Sequence, residues 1–165
     1  MPPPRNATRA AAPLLDRLMD ADPDRTADRP RTQAATIAAL RHAVRRDVEA
    51  LLNARRPWRS VPDRFAMLRV SPLGYGIPDF IAGGCNDNAQ RERLRSEIET
   101  TIRRFEPRLA QVQVELTDVP SPLTATLTLR ISALLRIEPE PEQVVFDTML
   151  DTTTADVVLR PLGET

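Results

Sequence analysis

A single proline fixes the point at which this chain must change from helix to strand. Leu94, Ile98, Ile102 and Phe105 recur at spacings of four, four and three, an apolar stripe of helical period, while Arg91, Arg95, Glu99 and Arg103 fall on a charged side. Asp87 or Asn88 can cap the first turn, and Glu99 to Arg103 is an i,i+4 pair in the favourable order. Pro107 has no amide hydrogen and disfavours helical geometry at Glu106, so the helix should stop there. Val112, Val114 and Leu116 then alternate with Gln111, Gln113 and Glu115, the pattern of a half-buried strand. One corner, Phe105-Glu106-Pro107-Arg108-Leu109, therefore joins helix to sheet.

The rest of the chain supplies what this corner needs for a core. From Thr36 to Leu52, Ile37, Leu40, Val44, Val48 and Leu51 keep helical spacing, with Asn53 and Pro57 as a stop. Leu123 to Ile137 alternates over its whole length, with every second residue apolar and mostly threonine, serine or arginine between. Extended, that run would reach about 50 Å, so a bend or a projecting end is expected. Val144 to Phe146 and Val157 to Leu159 predict two further short strands. The expected fold is α+β: two main helices on an antiparallel sheet of three or four strands. Residues 1–31 are proline-rich and read as a flexible arm carrying a short helix over 14–20, and 32–165 as a single domain. Arg59 to Ile81 reads as a structured connection packing down through Tyr75, Ile77 and Phe80. Its glycines lack the spacing of a phosphate-binding loop.

Composition excludes more than it assigns. A formal net charge of zero argues against a nucleic-acid binder that relies on bulk positive potential. No apolar run approaches the roughly 20 residues that span a bilayer, and no secretory signal is legible at the start, so a cytoplasmic protein without membrane insertion is expected. Cys85 stands alone and His42 falls on the polar side of its helix, which suggests neither a metal site nor a nucleophile, and no cofactor is expected. The Arg45-Arg46 and Arg55-Arg56 pairs read as a solvated face. Eight arginines lie between Arg41 and Arg69, and seven acids follow from Glu138 against Arg160 alone, so the two regions should meet opposite partners or each other.

Several stretches, taken in order, resemble a known family. Leu14-Leu15-Asp16-Arg17-Leu18, the run from Arg46 to Arg56, Tyr75-Gly76-Ile77-Pro78-Asp79-Phe80 and above all Phe105-Glu106-Pro107-Arg108-Leu109 are similar to motifs of the TssE family. These are baseplate wedge subunits of type VI secretion systems, related to phage wedge proteins and also called GPW or lysozyme-like. Gly74 departs from the asparagine usual before the tyrosine. The resemblance implies a structural subunit that docks on the other wedge proteins, TssF, TssG and TssK, and helps start the contractile sheath of TssB and TssC. Partner contacts are then expected at Glu106, Pro107 and Arg108, at Leu14, Leu15 and Leu18, and at Tyr75 and Asp79.

Two alternatives and one edge follow. The Glu106/Arg108 pair could instead be an internal ion pair pinning helix to strand; a partner contact on an exposed corner is the favoured expectation. A peptidoglycan-cleaving enzyme would need two carboxyls across a cleft, and Glu92, Glu97 and Glu99 are poorly spaced and set among arginines. A soluble adaptor is the other alternative. Strand addition needs an open edge, expected at Asp156 to Arg160, with the amide of Val158 unpaired in the monomer.

Overall fold

The computed structural model describes residue 18 and residues 32–56, 62–78, 87–117, 126–137, 140–151 and 153–162. Leu14, Leu15, Asp79, Phe80 and Cys85 lie outside the described residues, as does the arm apart from Leu18, which is helical and exposed.

Helix α1 spans Gln33–Asn53, begins three residues before the first position its apolar spacing suggested, and is capped by Thr32, whose hydroxyl accepts from the Ala35 amide at 3.2 Å. Its buried face is Leu40, Ala43, Val44, Val48, Leu51 and Leu52. A two-residue strand β1 (Arg55–Arg56), the short helix α2 (Ala66–Arg69) and strand β2 (Ile77–Pro78) lead to α3 (Asn88–Phe105), capped by Asp87. Then come β3 (Leu109–Leu116), β4 (Thr126–Leu135), β5 (Glu142–Asp151) and β6 (Val157–Pro161). The last four form one antiparallel sheet in chain order, and β1 pairs with β2 in parallel. The fold is α+β with the helices packed on the sheet.

One face of the sheet carries Val112 and Val114, Leu127 to Leu135 at alternate positions, Val144, Phe146 and Leu150, then Val157 and Leu159, all buried against Val44, Val48, Leu52, Ile98 and Ile102. Of the long run expected from Leu123 to Ile137, residues 123–125 lie outside the described residues, and the rest is not an edge. β4 is ten residues long and all ten are in register with β5, while β3 pairs along its other side, so β4 is central and offers no edge. β5 is longer than its apolar triplet suggested because the alternation continues through Thr148, buried like its neighbours, to Leu150. β3 starts at Leu109 and bulges between Ala110 and Gln113, where Gln111 takes a positive φ of 50°.

Basic and acidic regions meet each other. Arg41 pairs with Glu142, and Arg55 donates to the Ala155 carbonyl. The solvated-face expectation for the arginine pairs is thereby corrected. Arg56 is buried and binds Glu97 at 2.5 Å, Arg46 binds Asp47 at 3.0 Å, and Arg45 donates to the Leu159 carbonyl at 3.3 Å.

Candidate functional site

The corner after α3 is built by its own backbone and then locked by charge. The Glu106 amide still donates to the Ile102 carbonyl at 2.8 Å, the last helical bond before Pro107, and the Leu109 amide donates to the Glu106 carbonyl at 3.1 Å to close the turn. Arg108 then joins the sheet, its carbonyl accepting from the Arg136 amide at 2.8 Å. Glu106 is 4% exposed, so it does not stand on an exposed corner; that expectation is corrected for this residue, while Pro107 is exposed and the Arg108 side chain is 27% exposed. Arg108 wraps the buried carboxylate, donating from Nε to Glu106 Oε1 at 2.6 Å and from Nη2 to Oε2, and its own amide adds a bond at 3.2 Å. Nη2 also reaches Asp47 Oδ2 on α1 at 2.7 Å.

Three elements are thus tied at one point: α1 through Asp47, the end of α3 through Glu106, and the entry to β3 through Arg108. The hydrogen bond to Glu106 raises the Arg108 pKa most, burial opposes the rise, and Asp47 adds to it. The internal ion pair exists, and any partner meets Arg108 with its guanidinium already committed to two carboxylates.

Tyr75 leans on this cluster. Its ring meets Phe105 edge-on, centroids 5.3 Å apart at 73°. Burial first, then the charges of Asp47 and Glu106, raise the phenol above its ordinary pKa. Two glycines allow the loop to come this close. Gly76 has φ +93°, and a Cβ there would lie 2.3 Å from the Ala54 carbonyl oxygen; at Gly74 it would lie 2.5 Å from the Arg69 oxygen. The asparagine usual in the resembling family would collide at that second position. Ile77 is fully buried and Tyr75 packs its ring on Phe105, as the sequence suggested, whereas Phe65, Met67, Val70 and Leu73 before them are exposed.

The other expected contacts lie elsewhere. Leu18 is 73% exposed, and Val158 is 45% exposed on β6, opposite Met149. The unpaired amide expected at Val158 is corrected. Val157 and Leu159 turn their main-chain groups outward to side chains of α1, so by antiparallel alternation Val158 turns its amide inward to β5. Residues missed in the sequence are the clamps on this edge, Arg45, Glu49 and Asn53, and those on β3, Arg95, Glu99 and Arg103. Their common i, i+4, i+8 spacing was visible, but nothing in it separates a clamp from a solvated stripe.

The carboxylates considered for hydrolysis are engaged by arginine: Glu92 and Glu99 by Arg95, Glu97 by Arg56. Among the described residues no cluster of three or more histidine, cysteine, aspartate or glutamate side chains could hold a metal, and no helix is long and apolar enough to cross a membrane.

No curated protein and no solved structure matches the chain. The family described as baseplate wedge protein gp25 matches residues 38–140, more than half of the 165 residues, from the second turn of α1 past the end of β4, with the charged corner inside it. On that match the chain belongs to the baseplate wedge protein gp25 family, whose members are structural subunits of phage-type baseplates.

Proposed function

We propose that this chain is a TssE-type wedge subunit of a type VI secretion baseplate, acting at its cytoplasmic face. It docks on TssF, TssG and TssK and starts the sheath of TssB and TssC by strand addition. The observation that carries the docking half of this reading is an exposed apolar loop that reaches the charged corner at Tyr75. Phe65, Met67, Val70, Leu73 and Tyr75, five of the nine large apolar side chains exposed among the described residues, fall within eleven residues of sequence. That loop is pinned at Gly76 and Tyr75, so its apolar groups are presented on a fixed frame and little ordering is lost when they are covered. Arg108 with Pro107 borders the contact, Glu106 acts from beneath by holding Arg108, and Asp79, Leu14, Leu15 and Leu18 are the further side chains that meet wedge partners in this reading.

A pull-down of the tagged chain from cells with and without the other baseplate genes tests this. Recovery of TssF and TssG, with sheath subunits retained only when the wedge is complete, is the expected result. Recovery of one soluble regulator instead would make the chain an adaptor, and peptidoglycan turnover by the purified protein would make it an enzyme.

A further inference from the structure

Both outer edges of the four-stranded sheet are occupied, each by three side chains of one helix. On β6 the Val157 amide donates to Asn53 Oδ1 and the Val157 carbonyl accepts from Asn53 Nδ2, both at 2.9 Å. Two residues on, the Leu159 amide donates to Glu49 Oε2 at 3.4 Å and its carbonyl accepts from Arg45 Nη1 at 3.3 Å. Pro161, the next outward position, has no amide hydrogen to offer. On β3 the Val112 carbonyl accepts from Arg103 at 2.6 Å, the Val114 carbonyl from Arg95 at 3.3 Å, and the Val114 amide donates to Glu99 at 3.3 Å.

The two arrangements share a geometry. Arg45, Glu49 and Asn53 stand four residues apart on α1, and Arg95, Glu99 and Arg103 four apart on α3. Four residues of helix rise about 6 Å, and the outward main-chain groups of a strand repeat every two residues, about 6.7 Å. A helix lying along an edge can therefore answer it group by group, as another strand would. The two clamps differ in how they are held. Glu99 is paired with both Arg95 at 3.1 Å and Arg103 at 2.8 Å, so the β3 clamp is locked within itself. The β6 clamp holds through the main-chain bonds just given, and it sits on the last turns of α1, ending at the exposed terminal residue Asn53.

We infer that the β6 edge is a strand-accepting site held closed by Arg45, Glu49 and Asn53, and that an extended segment of a neighbouring subunit enters by taking over their hydrogen bonds with Val157 and Leu159. This rests on the strand-addition half of the proposed function. A fifth strand would lie about 4.8 Å from β6, in the space these side chains fill, so the end of α1 yields as the strand arrives. The closure has a use in the isolated subunit: a free edge would pair with any extended chain, including a second copy. Its consequence is a sign. Removing a recruiting residue lowers strand binding, whereas removing these clamps raises it.

The test uses the full chain carrying Glu49→Ala with Asn53→Ala, and Asn53→Asp alone as a milder variant that keeps the acceptor for the Val157 amide and loses the donor to its carbonyl. Thermal unfolding establishes that each is folded. The first readout is hydrogen exchange. In the wild type both amides are protected; in the double variant they exchange faster by about tenfold or more, the factor equivalent to about 1.4 kcal/mol, while β4 amides keep their rates. The second is binding of a fluorescent peptide copying residues 155–162, which should bind the double variant at least about tenfold more tightly than the wild type, with Asn53→Asp between them.

Rapid exchange of Val157 and Leu159 in the wild type would overturn the inference, since the edge would already be open. So would release of both amides in the double variant without any gain in peptide binding. Failure of the underlying reading looks different: sheath subunits would be recruited by the wild type while Val157 and Leu159 gain no protection in the assembled state.

Discussion

Arg108→Leu is the most informative single change at the corner, because it keeps much of the side chain's bulk and removes only its charge and donors. In the native chain Glu106 is 4% exposed and accepts from Arg108 Nε, Nη2 and the backbone amide. The variant leaves a buried carboxylate with the backbone amide alone. Breaking a buried pair by removing one partner costs about 3–5 kcal/mol; the partial exposure of Arg108 places this case at the lower end, about 3 kcal/mol. The bond to Asp47, whose side chain is 35% exposed, adds about 0.5 kcal/mol. For a domain of this size the melting temperature should fall by roughly 10 °C. Urea titration followed by circular dichroism measures the loss directly as a shift in midpoint at constant slope. Changing both residues, Glu106→Leu with Arg108→Leu, removes the stranded charge and should restore at least about 2 kcal/mol, a coupling that a double-mutant cycle reads out. If Arg108→Leu costs less than about 0.5 kcal/mol, the corner is not a structural lock and its charges are free for a partner after all. Charge reversal at Arg108 is by the same reasoning a poor probe of assembly. It would gather three carboxylates at one point, and the variant should lose its fold before it loses its partners.

Four further outcomes are expected. Tyr75 is the chain's one tyrosine, so an absorbance titration reports it alone; its midpoint should lie above 10 and move down in Asp47→Asn, one of the charges that raises it. Because the folded state holds that proton more tightly than the unfolded chain, its contribution to stability is complete below pH about 10 and is lost as pH rises through the folded value; a chevron whose stability does not decline there would contradict the assignment. Gly76→Ala should destabilise by about 2–3 kcal/mol, read by urea titration, since both its positive φ and the Ala54 oxygen oppose a Cβ, and a neutral result would mean the loop is free to shift. Leu73→Asp should leave the unfolding midpoint within about 0.5 kcal/mol of wild type yet weaken recovery of wedge partners in the pull-down, and undiminished recovery would remove this loop from the docking surface. Deleting residues 1–21 should likewise spare thermal unfolding while weakening baseplate association, whereas a large loss of stability would assign Leu14, Leu15 and Leu18 to the core.

The sequence by itself determined the elements wherever a local rule was strong enough. The period of Leu94, Ile98 and Ile102, the cap at Asp87 and the block at Pro107 set α3 and its end, because helical spacing and a missing amide act within a few residues. The alternation from Leu127 to Leu135 set a strand with one buried face in the same way. Only the tertiary structure decided what lies beside what. Strand order made the longest run central instead of an edge, and Thr148 became a core residue because its neighbours on β4 and β6 surround it. Glu106 turned inward because Arg108 supplies its counter-charge, and Arg108 is held in place by Asp47, from an element 59 residues before Glu106 in the chain. The clamps on both edges belong to the same class. Arg45, Glu49 and Asn53 look like any polar stripe until α1 is laid along β6, since a charged side chain carries no mark of the distant carbonyl it will meet. Apolar periodicity survives in the sequence because every core position needs the same kind of residue, whereas a polar contact needs one particular partner, and only the fold names it.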